Sequence, residues 1–334
     1  MSSATDKTAS SSSAWRAPSW FISHGGPPTM FMGTHPAYQQ WAKLGDEMKS
    51  LHSEGKLKGL VFVSAHWQAD DLSDGVYVNT DPSNPLIYDF ANFPPSFYEV
   101  KVASRNPPAF SSAVIEHLES RGIKAVPTHR GPDHGVWVPL KVAFGDGRPD
   151  SHSSALPDDL PLVQVSLPRS EDPLDSLRLG RALRGLRDRG FAVVGGGQAV
   201  HNLRDFGRRR ATGDLTLPEY SKTFPPALTA ALVGFGDRGS SDATAIAAAT
   251  AATAAAAALQ DQWTSANEAK WSKALTLDKR ADFRLAHPTY EHFLPTLVSL
   301  GASFPHESGE EILGTNEGPL AWNMYRWDSQ PSHL

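Results

Sequence analysis

The run Gly59-Leu60-Val61-Phe62-Val63-Ser64-Ala65 (GLVFVSA, residues 59–65) is followed at once by His66-Trp67. Its near-continuous apolar character is the signature of a β-strand covered on both faces, which places it inside a sheet flanked by helices. Shorter runs on either side read the same way: Trp20-Phe21-Ile22, PLVQVSL over 161–167, and Phe191-Ala192-Val193-Val194, with a further short strand at Lys124-Ala125-Val126-Pro127. Helical patterns separate them. One covers 35–49 with Tyr38, Trp41 and Leu44 on one face, and one lies near 111–121. A third, over 174–189, carries Leu177, Leu179, Leu183 and Leu186 and stops at Gly190, a suitable C-terminal glycine. Strands alternating with helices predict an α/β fold: a single layered domain over residues 18–330 with a central, largely parallel or mixed sheet flanked by helices.

Composition narrows the chemistry. The chain has 334 residues, 40% hydrophobic and 20% charged, with a net charge of -5. A nucleic-acid partner calls for a basic stripe, and the basic residues cluster only at Arg208-Arg209-Arg210, read here as a solvated loop. Cysteine is absent, so disulfides, thiolate metal sites and cysteine nucleophiles are excluded. Any metal site must therefore be built from carboxylates and the 13 histidines. No apolar run approaches the roughly 20 residues that span a bilayer. The Ser/Thr/Ala-rich stretch 1–17 lacks the apolar core of a secretory signal and reads as a disordered tail of a cytoplasmic protein. Residues 237–258 (DRGSSDATAIAAATAATAAAAA) form a low-complexity insertion outside the chemistry, and 145–159 reads as a loop rich in Gly, Pro, Ser and Asp.

Several histidines share one local setting. His24 and His66 each follow a strand, and His201 follows a strand and the run Gly195-Gly196-Gly197. In open α/β sheets ligands bind just beyond the carboxyl ends of strands, so three imidazoles at one sheet edge would suit a metal. The spacing is no short metal motif, and separate loop or cap histidines remain the alternative. His134, in Asp133-His134-Gly135, precedes the apolar stretch Val136–Leu140 and equally suits a helix-entry residue. Glu291 and His292 lie near His287; on a helix they would point about 100° apart, so at most one would face a common centre.

Six blocks in order carry a resemblance: Ser23-His24-Gly25-Gly26-Pro27, Val63-Ser64-Ala65-His66-Trp67, Tyr88-Asp89-Phe90 with Phe93-Pro94, Asp133-His134-Gly135-Val136-Trp137, Val200-His201-Asn202-Leu203-Arg204, and His287-Pro288 through Glu291-His292-Phe293-Leu294-Pro295. Over about residues 18–327 the chain closely resembles the DOPA-dioxygenase type of the class III extradiol ring-cleavage dioxygenases. The resemblance implies an enzyme that opens a catechol-type ring, of DOPA or a related catechol, with O₂ to a semialdehyde. It implies Fe(II) for ring cleavage, with Zn(II) possible as the bound metal. His24, His66 and His292 are then the metal ligands, giving a neutral shell where other class III enzymes carry a glutamate. His287 is the runner-up for the third ligand and Glu291 a weaker one. His201 is implied as the acid/base, able to approach the metal as a fourth ligand, and His134 as a wall of the substrate pocket that helps bind or polarise dioxygen or substrate. An ordinary histidine pKa near 6.5 would suit His201 to moving a proton near neutral pH. The segment Tyr88–Phe97 and Trp137 either wall the ring or pack as ordinary core. Two other readings are a zinc hydrolase or amidase on the same scaffold and a peptide-binding adaptor; the filled histidine pattern speaks against the adaptor.

Overall fold

The computed structural model describes residues 15–214, 216–233 and 271–328. Residues 1–14 of the expected tail and the insertion 237–258 lie outside them. Residues 16 and 17 are already tied down: Ala17 N–H donates to the Arg187 carbonyl at 3.0 Å and Arg16 Nε to Asp188 at 2.6 Å.

In chain order the strands begin with β1 (Ser19–Ser23), β2 (Gly59–Gln68), β3 (Val76–Asn79), β4 (Lys101–Ala103), β5 (Ala125–Thr128) and β6 (Ser153–Ala155). They continue with β7 (Leu162–Leu167), β8 (Phe191–Gly197), β9 (Val200–His201), β10 (Gly309–Leu313), β11 (Asn316–Glu317), β12 (Leu320–Ala321) and β13 (Met324–Trp327). The helices are α1 (Pro36–Ser53), α2 (Pro108–Ser120), α3 (His134–Ala143), α4 (Pro173–Leu183), α5 (Leu203–Thr212), α6 (Glu219–Leu232), α7 (Phe283–Ala286) and α8 (Leu294–Gly301).

The main sheet has eight strands in the order β10-β13-β1-β8-β2-β7-β3-β5. Its centre, β1-β8-β2-β7, is parallel. Strands β10 and β13 add antiparallel pairs at one edge, and β3 meets β7 antiparallel, so the sheet is mixed. The decisive strand β2 divides its side chains between two cores, as a period of two requires. Val61 and Val63 face the layer of α2, α4, α6 and α8, while Leu60 and Phe62 face α1 and α3. Phe21 and Val193 join the first core, Trp20, Ile22, Ala192 and Val194 the second.

Three local expectations change. The helix expected over 174–189 runs as α4 only to Leu183 and tightens into a 3₁₀ turn over Arg184–Arg189, ending on Gly190 at φ 85°. That turn carries Arg187 fully inside, where it pairs with Glu307 at 2.7 Å and donates to the Ala17, Ala302 and Trp327 carbonyls. Arg208–Arg210 lie on helix α5 and not in a loop; Arg209 is held by Asp205 at 2.9 Å and by Asp214 at 2.5 Å. Within the loop 145–159, residues 153–155 form β6, paired with β4.

The three glycines closing β8 each admit a neighbouring backbone. A Cβ on Gly195 would lie 2.2 Å from the Pro295 carbonyl oxygen, one on Gly196 2.9 Å from that of Gly135, and one on Gly197 2.4 Å from that of His292. The glycine run thus lets α8, α3 and the turn before α8 approach the same strand end.

Candidate metal centre and active site

The parallel centre of the sheet delivers three of the histidines to one edge. His24 follows β1, and its N–H continues the ladder onto the Gly197 carbonyl at 3.0 Å. His201 ends the short strand β9 just beyond β8, and β9 is held by β12 with His201 opposite Leu320. His66 was expected after its strand but lies inside β2, which runs on to Gln68. Its register slips there: β2 passes from Val63 to Gln68 while β7 passes only from Val165 to Leu167. At this bulge His66 leaves the ladder, its N–H donating to Ser64 Oγ and its carbonyl accepting from Arg130, with its ring 4.9 Å from that of His24. Gln198 locks the corner by accepting the Gly25 N–H at 3.1 Å and donating to the Ala321 carbonyl at 2.8 Å.

His292 arrives from the other side of β8. It is not helical: it sits in the turn before α8, with its carbonyl accepting the Gln198 N–H at 3.0 Å. The His24, His66 and His292 rings lie 4.9–5.2 Å apart between centroids. They offer ligand atoms that all lie within 4.8 Å of one another. The Nε2 atoms of all three are buried without a hydrogen-bond partner. Buried polar atoms are ordinarily satisfied, so three orphaned imidazole nitrogens converging on one point need an explanation, and a bound cation supplies it. Their far sides are occupied as metal-binding histidines require. His24 Nδ1 donates to the Gly25 carbonyl at 2.7 Å, His292 Nδ1 to Glu291 Oε1 at 3.0 Å, and His66 Nδ1 lies 3.4 Å from Asp89 Oδ2. The donor set therefore fits a divalent transition metal, with imidazole nitrogen as ligand and carboxylate behind it.

Burial pulls His24 and His292 well below the ordinary histidine pKa, and neighbouring histidines add to the effect. Burial likewise lowers His66 to about 4. All three rings are neutral near pH 7, the form that binds metal.

His201 stacks on His292 with ring centroids 3.5 Å apart. Its expected ordinary pKa is not what the fold provides: burial first, then His287, His66 and His134, bring it to about 3. It therefore stands unprotonated beside the cluster. His134 does occupy the first position of α3, as the plain helix-entry reading had it, yet its ring packs 4.0 Å from His66 and 5.3 Å from His24. Helix entry and site membership turn out to be compatible.

The two runners-up stand differently: Glu291 falls with His201 and His292 in a second group whose ligand atoms lie within 4.8 Å of one another, whereas His287 belongs to no such group among the described residues. His287 is fully buried among Phe224, Phe283 and Phe293, with Nε2 donating to the Ala199 carbonyl at 3.0 Å. Glu291 stands behind His292, on its Nδ1 side. Trp137 is core, its indole N–H donating to the Ile87 carbonyl at 2.9 Å. Of the Tyr88–Phe97 segment, Phe90 reaches the site, 5.9 Å from His134, and Phe93 and Phe97 extend the aromatic wall away from it.

Sequence reasoning gave no role to the polar floor beneath these rings. Asp133 is fully buried and accepts from Ser64 Oγ at 2.6 Å, Gln164 Nε2 at 2.5 Å and Arg130 Nη1 at 3.1 Å. Ser64 Oγ in turn accepts the His66 N–H at 3.2 Å. The signal was present as Ser64 and Gln164, polar residues inside otherwise apolar strands, where an unpaired polar group would be costly.

Comparison with known proteins places the chain in a family. The model of the catalytic LigB subunit of aromatic ring-opening dioxygenase matches residues 18–324. A 4,5-DOPA dioxygenase extradiol from Beta vulgaris is 28% identical over 313 residues, covering 93% of this chain and 96% of its own. A 4,5-DOPA dioxygenase extradiol-like protein from Schizosaccharomyces pombe is also 28% identical, covering 85% of this chain and 84% of its own. The crystal structure of an uncharacterized protein from Escherichia coli K12 shares the fold with a TM-score of 0.60 at 22% identity, covering 93% of this chain and 99% of that one. The chain belongs to the LigB family of aromatic ring-opening dioxygenases and is an extradiol ring-cleaving enzyme of the DOPA-dioxygenase type.

Proposed function

We propose that His24, His66 and His292 hold the metal of this dioxygenase, that His201 is its acid/base, and that His134 faces the substrate and dioxygen. The observation that carries this reading is the set of three buried, unpartnered Nε2 atoms aimed at one point. Fe(II) is the proposed active ion, and Zn(II) is a competent occupant of the same nitrogens that has no redox chemistry. When bound, the metal supplies Lewis acidity to a catechol hydroxyl and a route for electrons from ring to dioxygen.

The proposed substrate is a catechol, DOPA or a relative. Ring opening to a semialdehyde places both atoms of O₂ in the product, so no external reductant is required. His201, neutral and pressed against His292, accepts the proton of the second hydroxyl at whichever ring nitrogen faces it. Its low proton affinity belongs to the site without substrate. An adjoining phenolate oxygen favours the imidazolium and restores basicity, because an opposite charge within contact range counters desolvation. The same nitrogen then returns the proton as the O–O bond breaks. His134, its ring 5.3 Å from that of His24, presents Nε2 as a hydrogen-bond acceptor to the substrate, and Phe90 supplies an apolar wall beside it.

The test is anaerobic loading of metal-free protein with Fe(II), followed by a panel of catechols and air-saturated buffer in an oxygen electrode. We expect stoichiometric O₂ uptake with a yellow ring-opened product, and none after loading with Zn(II). Absence of uptake with every catechol would overturn the substrate class, and equal uptake by the zinc form would overturn the metal.

A further inference from the structure

The three-histidine shell brings no negative charge to a divalent ion, and the nearest carboxylate to two of the site's rings is Asp89. It lies on the segment between β3 and β4, far in sequence from the strand ends that deliver His24 and His66. One carboxylate spans two rings. Oδ2 lies 3.4 Å from His66 Nδ1, and Oδ1 lies 2.9 Å from His134 Nδ1 while accepting the His134 backbone N–H at 2.9 Å. The contact to His134 Nδ1 is close without being aligned as a hydrogen bond, and a carboxylate oxygen that near a ring nitrogen favours an N–H over a lone pair there. His66, Asp89 and His134 together bring three ligand-type atoms within 4.8 Å of one another.

We propose that Asp89 is a positioning residue that fixes the tautomer of His66 and His134 together, placing the proton of each ring on Nδ1 and leaving each Nε2 as an acceptor. The inference rests on the reading of His66 as a metal ligand. Only a ring nitrogen without a proton can ligate, and which nitrogen that is depends on the hydrogen bond the other makes. For His24 and His292 that partner belongs to the adjoining residue, the Gly25 carbonyl and the Glu291 carboxylate. His66 has no such neighbour and must borrow one from another segment. Asp89 also supplies the anionic charge that the neutral ligands omit, and it does so behind two rings from one side chain. Aligned carboxylate–histidine–metal arrangements of this kind alter metal affinity about 10–100-fold when broken.

Asp89→Asn is the discriminating change. The amide oxygen can keep the His134 backbone N–H, which leaves the NH₂ facing His66 Nδ1. A donor there stabilises the tautomer with its proton on Nε2, the form unable to bind metal. The experiment titrates metal-free wild type, Asp89→Asn and Asp89→Glu with Co(II), following its visible absorption. We expect Asp89→Asn to bind Co(II) about 10–100-fold more weakly with an altered band, and Asp89→Glu to recover part of the loss. Nitrogen-15 histidine NMR of the metal-free wild type reads the same claim without a variant, and stands should Asp89→Asn not fold: His66 should carry its proton on Nδ1. Wild-type affinity and band shape in Asp89→Asn, or a His66 proton on Nε2, would overturn the role of Asp89. A wild type that binds no Co(II) would instead overturn the metal reading itself.

Discussion

Gly197→Ala tests how tightly the fold sets the metal centre. The added methyl would lie 2.4 Å from the His292 carbonyl oxygen and 3.0 Å from the Phe21 ring. Both neighbours are pinned, since Phe21 is core of β1 and the His292 carbonyl accepts the Gln198 N–H at 3.0 Å. Ordinary contact requires at least 3.4 Å, so the turn carrying His292 must retreat by about 1 Å, a displacement that costs on the order of 100-fold in turnover when it moves a reacting group. Overpacking of a filled site adds about 1–3 kcal/mol of destabilisation, and weakening the hydrogen bond about 1 kcal/mol more. The assay is urea unfolding of the metal-free variant, Co(II) titration, and turnover of the Fe(II) form. Gly207→Ala is the control: it sits on α5 with nothing within 4 Å of the new methyl, and should be neutral or stabilising by up to about 1 kcal/mol. If Gly197→Ala matched wild type in metal affinity and turnover, the placement of His292 by strand β8 would be refuted.

Other outcomes follow from the same geometry. His24→Ala and His66→Ala should lose the metal, whereas His201→Ala should retain it and lose most turnover; metal analysis beside oxygen uptake reads both, and loss of metal from His201→Ala but not from His292→Ala would reverse the ligand assignment. The metal-free protein should lose stability below neutral pH. His66 binds its proton at about 4 in the fold, but near 6.5 when unfolded. The unfolded chain therefore takes up the proton first, and stability present above pH ~6.5 is lost as pH falls toward 4, which melting temperatures across that range would show. Glu307→Gln should cost about 3–5 kcal/mol by leaving Arg187 buried and uncompensated, measurable as a drop in urea midpoint. Burial would raise the Glu307 carboxyl, but Arg187 outweighs it and holds the group below its ordinary range. Its contribution is thus present above the unfolded carboxyl pKa of about 4.3 and lost as pH falls further, a loss the Glu307→Gln variant should not show.

What the sequence determined by itself is local and periodic. The apolar run at 59–65 required a strand covered on both faces, and β2 divides its side chains between two cores as that predicts. The alternation of runs set the α/β class, Gly190 marked a helical end, and missing cysteine left carboxylates and histidines as the available metal donors. Ordered motifs pointed to His24, His66, His134, His201 and His292 as a group. Tertiary structure decided which of them meet. His24 and His66 become neighbours because β8 lies between β1 and β2, and strand order is not written in any one strand. His287 and His292 are five residues apart, yet one turns into an aromatic nest while the other is drawn to β8 through space opened by Gly197. The proton affinity of His201 depends on how much water its neighbours exclude, so a typical histidine value could not anticipate about 3. Asp89 shows the same limit: its motif was visible, but its place behind His66 and His134 depends on a loop folding back across the sheet edge, a contact between segments that no local pattern encodes.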